Sequence, residues 1–387
     1  MYFEFYKGVD MREGWEVKTL DEICEKIFAG GDKPKDSFSE IKTEEYNVPI
    51  YANGEKNKGL YGYTKKPRVL KPSITVSARG TIGYSEIRRE PFYPIVRLIV
   101  LTPNLNCTFS EFLQYFLGGL DFKNSGTSIP QLTVPMIKKY KIPIPPLQEQ
   151  QQIVAILDKA FKAIDQAKAN IEKNIENAKE LFQSKLNAIF SQKGDGWEEK
   201  TLGEVVKYDK TKYSATNRPY VGLENIESNT GTYLGSLEAH EVKSSTFQFD
   251  ERHVLYGRLR PYLNKVLVPK FAGHCSTEIF PILPGQEVLR EFLFYWLMSP
   301  LIVSKIDATW TGARMPRANM NEVIKFKINI TSIENQKEII KELTLLKIEI
   351  KNLESKYKNL INNIEELKKS ILQKAFAGEL TSKEVVV

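Results

Sequence analysis

The two halves of this chain are copies of one pattern. GWEVKTLDEI at residues 14–23 returns as GWEEKTLGEV at residues 196–205, a shift of 182 residues. Farther on, GTSIPQLTVPMI at residues 126–137 aligns with GARMPRANMNEV at residues 312–323, a shift of 186 residues. The second match continues through the pairs Gln150 and Gln336, Ile153 and Ile339, Leu157 and Leu343, Ser184 and Ser370, Leu186 and Leu372, and Phe190 and Phe376. Two matches in the same order at nearly the same offset indicate a tandem repeat rather than a chance recurrence of a strand-entry phrase.

Each half ends in a long stretch without Gly or Pro, at residues 147–193 and 333–377. Because those two residues interrupt helices, each stretch predicts one continuous helix, roughly 65 to 70 Å long at 1.5 Å per residue. Apolar residues in the second stretch recur in alternating steps of four and three, which is typical of a coiled-coil seam. We therefore expect the two helices to pack on each other. The predicted helix–helix seam comprises Ile153, Leu157, Ile164, Ile171, Asn174, Leu343, Leu346, Ile350, Leu353, Leu360 and Ile364.

Asn174 is a polar residue in the predicted seam. It could fix the alignment of the helices at a cost in stability, or it could mark a solvated gap, and the sequence leaves both readings open. Further apolar residues, such as Ile156 and Phe182, lie off the seam. An isolated helix pair would expose them, which suggests that helices of another protein cover them.

Between the repeat markers, short β-like runs are broken by Gly, Pro and Asn. They include VPIYANG and SITVSARGTIGYSEI in the first half, and HVLYGRLRPYLNKVLV and HCSTEIFPILP in the second. Each half then carries a short helical pattern, SEFLQYFLGGL or LREFLFYWLMS. The predicted fold class is α+β, with two tandem domains that are each followed by a long α-helix. The predicted boundaries are 1–146 for the first domain, 147–193 for the central helix, 194–332 for the second domain, 333–378 for the distal helix and 379–387 for a tail.

The loops of both domains mix cations with amides, hydroxyls and aromatic rings. Arg and Lys can contact phosphates or guanine edges, and Asn and Gln can contact adenine. For any single residue a solvated charge or a turn is the simpler explanation, and only the clustering in both halves favours DNA binding. The candidate DNA-binding residues are Lys56, Asn57, Lys58, Lys65, Arg68, Arg79, Thr81, Thr127, Ser128, Gln131, Arg218, Tyr220, Asn225, Arg258, Arg260, Tyr262, Asn264, Arg314, Arg317 and Asn319.

The charge balance suits a polyanionic partner without requiring one, because 55 Lys and Arg against 48 Asp and Glu give a net charge of +7. Cys24, Cys107 and Cys275 are odd in number and far apart, so we expect neither a disulfide framework nor a zinc site. A secretion signal is missing, and no run approaches the roughly 18 apolar residues that a membrane span requires. These features predict a soluble protein of the reducing cytoplasm, with no membrane partner.

The sequence lacks familiar catalytic motifs. None of the 3 histidines stands in a metal-binding spacing such as HExxH. There is no GxxxxGK[ST] loop for nucleotide phosphates, and FAGGDK at residues 28–33 is too short a match to count as one. We also find no NPPY-like or DPPY-like tetrapeptide of the kind that adenine methyltransferases carry. We therefore expect no catalytic residues, no metal and no cofactor bound by this chain.

The order of domain, long helix, domain and long helix resembles the specificity subunits of Type I restriction-modification enzymes, over nearly the whole chain. The most specific phrases are the domain-opening GW-x-x-K-T-L, the domain-closing IPIPPLQEQQQIVAIL at residues 142–157, and LQKAFAGEL at residues 372–380. RGTIG at Arg79 and RLRPYLNKV at Arg258 also look like recurring phrases of that family's recognition domains. The second linker departs from the pattern because INITSIENQ lacks the prolines of IPIPPLQEQ, which puts in doubt how sharply its helix begins.

The resemblance implies a DNA-reading subunit without catalysis. Each target-recognition domain would read one half of a split, asymmetric double-stranded DNA target, and the helices, packed as an antiparallel coiled coil, would set a fixed unread spacer. The helices would also dock two methyltransferase subunits, and two restriction subunits would complete the complex. S-adenosylmethionine, ATP and Mg would be bound by those partner subunits. Because the middles of the two domains differ strongly, the two half-targets would differ.

Two alternatives make different predictions. A coiled-coil scaffold protein that binds other proteins would show salt-insensitive binding and no DNA footprint, whereas phosphate contacts weaken steeply with salt. A lone nuclease or methyltransferase would act on DNA when it is incubated with cofactors, and the missing motifs argue against it.

Overall fold

The computed structural model describes residues 12–35, 37–120, 122, 131–213, 217–240, 242–311 and 315–381. The chain divides into two compact units. The first unit comprises Met1–Asn170 together with Asn359–Val387, and the second unit comprises Ile171–Lys358. Each unit therefore contains one mixed domain and a part of each long helix. The division along the chain that the sequence predicts stays a prediction, because the compact units cut both long helices.

The domain of the first unit is built from short strands and short helices. Its elements are β1 Glu16–Thr19, α1 Leu20–Ile23, β2 Cys24–Ala29, β3 Val48–Tyr51, β4 Leu60–Thr64, β5 Ser73–Val76, β6 Ser85–Arg88, β7 Tyr93–Pro94, β8 Ile99–Pro103, α2 Ser110–Gly119, α3 Val134–Lys138 and β9 Lys141–Ile144, and the long helix α4 follows at Leu147–Phe190. Thr19 and Glu22 form a capping box that starts α1, with the Thr19 Oγ1 accepting from the Glu22 N–H at 3.3 Å.

Among the described residues of the first unit, these strands form three sheets. The central sheet has the order β2-β8-β5-β6, a second sheet has the order β4-β3-β7, and β1 pairs with β9. In the central sheet Ala29 and Val76 both pair with Ile99, and Val76 also pairs with Ser85. These pairs mark one end of the sheet, from which the chain leaves into residues 30–31, 77–84 and 95–98. We call it the loop end of the first unit.

The core of the first unit lies between the central sheet, α2 and the long helices. β5 and β8 are buried along their whole length, as expected of strands that are covered on both faces. Phe112 and Phe116 of α2 pack edge-to-face on Phe376, with ring centroids 5.1 and 5.2 Å apart. Ile153, Leu157 and other residues near the start of α4 belong to the same apolar cluster, so the long helix is part of the domain core.

The second unit repeats this plan with different loops. Its elements are β10 Trp197–Thr201, α5 Leu202–Val205, β11 Val206–Tyr208, β12 Lys212–Tyr213, β13 Tyr220–Val221, β14 Thr246–Phe249, β15 Val254–Gly257, β16 Val266–Leu267, β17 Gly273–Ser276, β18 Ile279–Pro284, α6 Arg290–Met298, α7 Pro300–Asp307, α8 Met320–Val323 and β19 Lys327–Thr331, and the long helix α9 follows at Ile333–Phe376. The start of α9 lies directly after β19 although the prolines of the first linker are missing there.

The sheets of the second unit correspond to those of the first. The central sheet has the order β11-β18-β15-β16, another four-stranded sheet has the order β12-β14-β17-β13, and β10 pairs with β19. Tyr256 of β15 pairs with Phe280 and with Val266, as Val76 pairs with Ile99 and Ser85 in the first unit. The loop end of the second unit therefore carries residues 257–265 and the turn at residues 277–278.

The two long helices pack antiparallel within each unit. In the first unit Asp165 pairs with Lys368 at 3.4 Å and Lys168 pairs with Glu365 at 2.7 Å. In the second unit Lys179 pairs with Glu354 at 3.5 Å and Lys185 pairs with Glu342 at 2.6 Å. Residue numbers rise along α4 while they fall along α9, as the predicted antiparallel coiled coil requires. These exposed pairs fix register rather than add much stability.

The seam itself is placed differently from the prediction at two positions. Ile153, Leu157, Ile164, Ile171 and Leu343 are buried, and Leu346, Ile350, Leu353 and Ile364 are half-buried. Asn174 is exposed, so it is a solvated position and not a buried alignment residue. Leu360 is 43% exposed, whereas its neighbour Ile361 is half-buried. A helix with 3.6 residues per turn drifts by about 20° per heptad from a 3.5-residue repeat, so the contact face moves off the predicted row toward the C-terminal end of α9.

Within the part of the chain that the structure describes, no helix is both long and apolar enough to cross a membrane.

Candidate nucleic-acid interface

At the loop end of the first unit, residues 77–84 form a tight loop between β5 and β6. Its ends are closed by hydrogen bonds from the Ser77 N–H to the Tyr84 carbonyl at 2.9 Å and from the Gly83 N–H to the Ser77 carbonyl at 3.0 Å. Gly80 adopts a φ of 71°, a conformation that glycine enters without strain. The loop therefore presents Arg79 and Thr81, which are both exposed, on a fixed backbone.

A second segment supports this loop. The Leu132 N–H donates to the Ala78 carbonyl at 3.0 Å, and the Arg79 guanidinium donates to the Gln131 Oε1 at 2.8 Å. Arg79 and Gln131, which are 52 residues apart in the chain, are thus brought together as neighbouring candidates. Thr127 and Ser128, predicted to join them, lie outside the described residues.

The second unit builds the same arrangement from residues 257–265. The Gly257 N–H donates to the Lys265 carbonyl at 2.8 Å, and the Ala318 N–H donates to the Arg258 carbonyl at 2.8 Å. Ala318 stands 186 residues after Leu132, so Arg258 corresponds to Ala78 and Arg317 corresponds to Gln131. The two domains therefore carry different side chains at equivalent positions of the same loop end. Arg314, a predicted neighbour, lies outside the described residues.

Glu278 holds the two arginines of this loop end. The Arg258 Nε lies 2.9 Å from one carboxylate oxygen of Glu278, and the Arg317 Nε and Nη2 lie 3.0 and 2.9 Å from the other. All three side chains are partly exposed, at 32%, 38% and 23% for Arg258, Arg317 and Glu278. One carboxylate between two guanidiniums leaves a net positive charge at the surface and fixes the direction of both cations.

Arg260 and Tyr262 are the most accessible candidates at this loop end. Arg260 is exposed and adopts a left-handed φ of 52°, with its N–H donating to the Pro316 carbonyl at 2.8 Å. Tyr262 is 52% exposed. Asn264 corrects the prediction because its side chain is only 2% exposed and donates to the Met298 sulfur at 3.4 Å. A side chain buried in the domain cannot reach a base edge.

Three further candidates of the first unit, residues 56–58, lie in the short 3-10 turn between β3 and β4. Asn57 and Lys58 are exposed and left-handed, with φ of 51° and 52°. The Lys58 Nζ pairs with Glu86 at 2.9 Å, and the Tyr84 hydroxyl donates to the same carboxylate at 2.8 Å. Burial, followed by the hydrogen bond to Glu86, raises the pKa of Tyr84 to about 12, so the phenol remains a donor.

Lys56, Lys65 and Arg68 complete the candidates of the first unit. Lys56 is exposed beside Asn57. A hydrogen bond with Glu45 raises the pKa of Lys65, so this cation is already paired. The guanidinium of Arg68 lies 5.4 Å from the centre of the Phe28 ring. These contacts limit how freely Lys65 and Arg68 can turn toward DNA.

Three further candidates of the second unit have structural partners. The Asn225 Oδ1 accepts from the Gly222 N–H at 2.8 Å, and the Asn319 Oδ1 accepts from the Asn321 N–H at 3.2 Å at the start of α8. Tyr220 is half-buried against His274, with ring centroids 5.4 Å apart. These contacts describe turn, cap and packing roles, and whether any of the three also touches DNA stays a prediction.

Arg218 is exposed near the same aromatic group. Its guanidinium lies 6.0 Å from the centre of the Tyr213 ring, and Tyr213 stacks on His274 with ring centroids 4.6 Å apart. Burial lowers the pKa of His274, which favours the neutral imidazole. The stack therefore contributes an aromatic surface beside one cation rather than a second charge.

Two residues of the loop ends were missed by the sequence analysis. Glu278 sits in HCSTEIF, where nothing distinguishes it from an ordinary turn carboxylate. Arg97 sits in YPIVRLIVL, whose apolar residues predict only a buried strand. Both lie at the same end of the central sheets as the predicted loops, and strand register is the information that places them there.

Among the residues that the structure describes, no group of three or more His, Cys, Asp or Glu side chains is arranged to hold a metal ion. The candidate surface therefore consists of paired and free cations, amides and aromatic rings. Such groups can contact phosphates and base edges.

Comparison with known proteins identifies a protein family whose model matches this chain. The model of the family described as "Type I restriction modification DNA specificity domain" matches residues 12–177 and 194–363. The chain is similar to the putative type I specificity subunit S.MpnORF89P of Mycoplasma pneumoniae, at 38% identity over 194 residues that cover 49% of this chain and 57% of that protein. It is also similar to the EcoDI specificity subunit of Escherichia coli, at 25% identity over 328 residues that cover 74% and 73% of the two chains.

A further Mycoplasma pneumoniae relative, the putative type I specificity subunit S.MpnORF507P, is 36% identical over 178 residues that cover 46% of this chain and 48% of that protein. The chain thus spans about half the length of the two Mycoplasma relatives that it matches. Two solved structures share the fold. One, described as "Structural basis underlying complex assembly and conformational transition of the type I R-M system", has a TM-score of 0.75 at 17% identity and covers 96% of this chain and 99% of its own. The other, an HsdS subunit from Thermoanaerobacter tengcongensis, has a TM-score of 0.59 at 16% identity, with the same coverage of 96% and 99%.

Proposed function

The chain belongs to the Type I restriction modification DNA specificity domain family, and from this premise we propose that it is the DNA-reading subunit of a Type I restriction-modification complex. The observation that carries the proposal is the pair of loop ends. Each domain holds a cation-bearing loop on a fixed backbone at the same end of an equivalent sheet, so each can contact one stretch of duplex.

Differences between the loop ends support an asymmetric target. Ala78 and Gln131 of the first unit correspond to Arg258 and Arg317 of the second. Arginine pairs with guanine and an amide pairs with adenine, while Ala78 is 1% exposed and offers no group to DNA. Two surfaces with such different groups would select different base sequences. We therefore propose a split target of two unlike halves with a fixed unread spacer.

The long helices support the proposed spacer and partner roles. Antiparallel packing joins the helices within each unit, and a stiff connection between two readers adds their binding energies only when the half-targets have the right separation. Exposed apolar side chains on the helices, Leu345 at 53% and Ile348 at 50% in the second unit, and Leu367 at 50% in the first, offer docking positions for partner helices. We propose that two methyltransferase subunits and two restriction subunits bind in the full complex.

We propose that catalysis is carried out by the partner subunits. The described residues of the loop ends supply donors and acceptors for recognition, and we propose that this chain is a non-catalytic reader. The methyltransferase subunits would hold S-adenosylmethionine and act on an adenine taken out of the stack, and ATP and Mg would be held by the restriction subunits. The chain would work in the compartment that holds the DNA. A scaffold that binds only proteins is not favoured, because the family is defined by DNA specificity.

The test is a methylation map. This chain would be co-expressed with its methyltransferase subunit in a host that lacks other adenine methyltransferases, and adenine methylation would be sequenced across the genome. The expected result is an asymmetric split motif with a gap of constant length. A stable complex that gives a continuous motif, or none, would contradict the two-reader proposal.

A further inference from the structure

Two adjacent residues of the first unit occupy a backbone conformation that their side chains disfavour. Val96 has a φ of 51° and Arg97 has a φ of 60°. The Leu98 N–H donates to the Ile95 carbonyl at 3.1 Å, so residues 95–98 form a β-turn with both central residues left-handed. That turn is normally made by Asn, Asp or Gly, and a β-branched residue such as Val is an outlier there.

The surrounding structure forces this turn. The Ile95 N–H donates to the Tyr51 carbonyl at 2.9 Å, the Val96 N–H to the Gly31 carbonyl at 2.8 Å and the Arg97 N–H to the Gly30 carbonyl at 3.1 Å. The Asn53 amide donates to the Val96 carbonyl at 2.6 Å. Because these bonds come from two other segments, residues 30–31 and residues 51–53, the turn keeps its strained shape in the folded protein.

Close packing against this turn explains the first glycine of GGDK, Gly30. A Cβ at Gly30 would stand 2.7 Å from the Pro94 carbonyl carbon, so no larger residue fits beneath the turn. The N–H of Gly30 donates to the Leu98 carbonyl at 2.8 Å. This close approach lets β2 end directly under the turn and hold it from below.

The turn lies at the loop end, beside the residues predicted to contact DNA. The Asn53 Oδ1 accepts from the Ala78 N–H at 2.8 Å while its amide binds Val96, so one side chain joins the turn to the loop of residues 77–84. Val96 is 52% exposed and Arg97 is also exposed. Among the described residues the Arg97 guanidinium has no hydrogen bond or ion pair.

The equivalent position of the second unit carries the opposite charge. Val76 pairs with Ile99 and Tyr256 pairs with Phe280, so the register of the two central sheets makes Arg97 the counterpart of Glu278. Glu278 neutralises part of the charge of Arg258 and Arg317. In the first unit alanine and glutamine stand where those arginines would be, and Arg97 has no carboxylate partner among the residues that the structure describes.

We propose that the Val96–Arg97 turn reads base edges in the half-target of the first domain, with Arg97 contacting a guanine and Val96 contacting the methyl group of a neighbouring thymine. The inference rests on the proposed function and adds the residues and the base classes. Arginine presents two parallel donors to guanine, and an apolar side chain fits a thymine methyl.

Base contact explains this turn better than phosphate contact does. A phosphate attracts any nearby cation and needs neither a fixed direction nor an apolar neighbour, whereas a base edge requires both. A strained turn held by hydrogen bonds from two segments supplies the fixed direction, and Val96 supplies the apolar neighbour.

The test uses the complete complex with its methyltransferase and compares motifs from whole-genome methylation. The variants are Arg97→Ala, Arg97→Lys and Val96→Ala. The matched control is Lys71→Ala, because Lys71 is an exposed cation that pairs with Glu25 at the opposite end of the same sheet. Thermal unfolding of each complex verifies folding, and Arg97→Lys, which keeps the charge, carries the test if Arg97→Ala does not assemble.

For Arg97→Ala we expect one guanine position in one half of the motif to become degenerate, with discrimination at that position reduced by roughly 5- to 150-fold. Arg97→Lys should lose much of the same discrimination because lysine lacks the planar pair of donors. Val96→Ala should relax a thymine next to that guanine. The other half of the motif, the gap length and the Lys71→Ala motif should remain those of the wild type.

Two results would overturn the inference while the proposed function stands. One is a wild-type split motif that Arg97→Ala and Arg97→Lys leave unchanged. The other is a uniform loss of methylation at all sites without a change of motif, which would make Arg97 a phosphate contact. A wild-type complex without any split motif would instead contradict the proposed function, and the inference would fall with it.

Discussion

Gln150 and Gln336 make the same three hydrogen bonds in the two halves of the chain. The Gln150 amide donates to the Cys107 and Pro145 carbonyls, both at 2.9 Å, and its Oε1 accepts from the Phe109 N–H at 2.8 Å. The Gln336 amide donates to the Glu287 and Thr331 carbonyls at 2.7 and 2.8 Å, and its Oε1 accepts from the Leu289 N–H at 2.9 Å. Each glutamine is 0% exposed. Each one therefore ties the first turn of a long helix to the strand before it and to the start of α2 or α6.

Replacing Gln336 by Leu should destabilise the second unit by about 3 kcal/mol. The substitution leaves a buried N–H and two buried carbonyls without partners, and such groups cost more than the bonds themselves contribute. Urea unfolding followed by tryptophan fluorescence measures the change, since Trp197, Trp296 and Trp310 all lie in the second unit. The control is Lys337→Leu, because Lys337 is exposed on α9 in the same unit and should shift stability by no more than about 0.5 kcal/mol. Equal effects of the two variants would contradict the tethering role.

Leu343→Ala and Leu360→Ala should differ although both leucines belong to the predicted seam. Leu343 is 0% exposed and Leu360 is 43% exposed. Truncating a buried leucine costs about 2 to 5 kcal/mol, because apolar contacts are lost and a cavity remains. Truncating an exposed leucine should lower the free energy of unfolding by less than about 1 kcal/mol. Thermal unfolding of the two variants ranks them, and a larger loss for Leu360→Ala would mean that the contact face of α9 is wrongly assigned.

Val96→Gly should stabilise the first unit and impair recognition. Glycine adopts a positive φ without the steric conflict that a left-handed valine has, so release of strain should add about 1 kcal/mol to the free energy of unfolding. The same change removes the apolar side chain that we assign to a thymine. Calorimetry and the methylation motif together check both effects. A variant that unfolds earlier than the wild type would show that the turn is not strained.

Glu278→Ala should make DNA binding by the assembled complex less specific and more salt-dependent. Without the carboxylate, Arg258 and Arg317 become free cations that can reach phosphates, and each added phosphate contact steepens the slope of log affinity against log salt by about 0.9. Salt titrations on target and non-target duplexes measure the slope. Glu291→Ala, which also removes the partner of an arginine in the second unit, is the control because its pair lies at the start of α6. An unchanged slope would mean that the two arginines do not reach DNA.

The three thiols should react with disulfide reagents at very different rates. Burial raises the pKa of Cys275, which is 0% exposed, and raises the pKa of Cys24 to about 12. Burial also raises the pKa of the half-buried Cys107. Because the thiolate is the reactive form and a raised pKa lowers its fraction, at pH 9 less than about 1% of Cys24 should be reactive.

Cys107 should therefore react first, and its labelling rate should rise with pH. Cys275 should be labelled only after the protein unfolds. Labelling at pH 7, 8 and 9, with the unfolded protein in denaturant as control, gives the three rates by mass spectrometry. Rapid labelling of Cys275 in the folded protein would contradict its placement in the core.

The sequence by itself determined the plan of this protein. The repeat, the two stretches free of Gly and Pro, and the alternating runs predict two mixed domains with two long helices, because periodicity and helix breakers act locally and can be read along the chain. The family resemblance followed from the order of those elements and the phrases at their junctions, and the antiparallel pairing was what that resemblance implied. Gln150 and Gln336 were visible as a repeated pair, although their three hydrogen bonds were not.

Only the tertiary structure decided which side chains are available at the surface. Asn264 reads as a polar loop residue and is buried, Leu360 reads as a seam residue and is exposed, and Arg97 reads as part of a strand and stands on a strained turn. The turn at Val96 depends on the end of β2, and the burial of Asn264 depends on the segment that covers it. The exposure of Leu360 depends on which face of α9 packs against α4. Burial and strand register are sums over such distant contacts, so no local pattern in the sequence contains them.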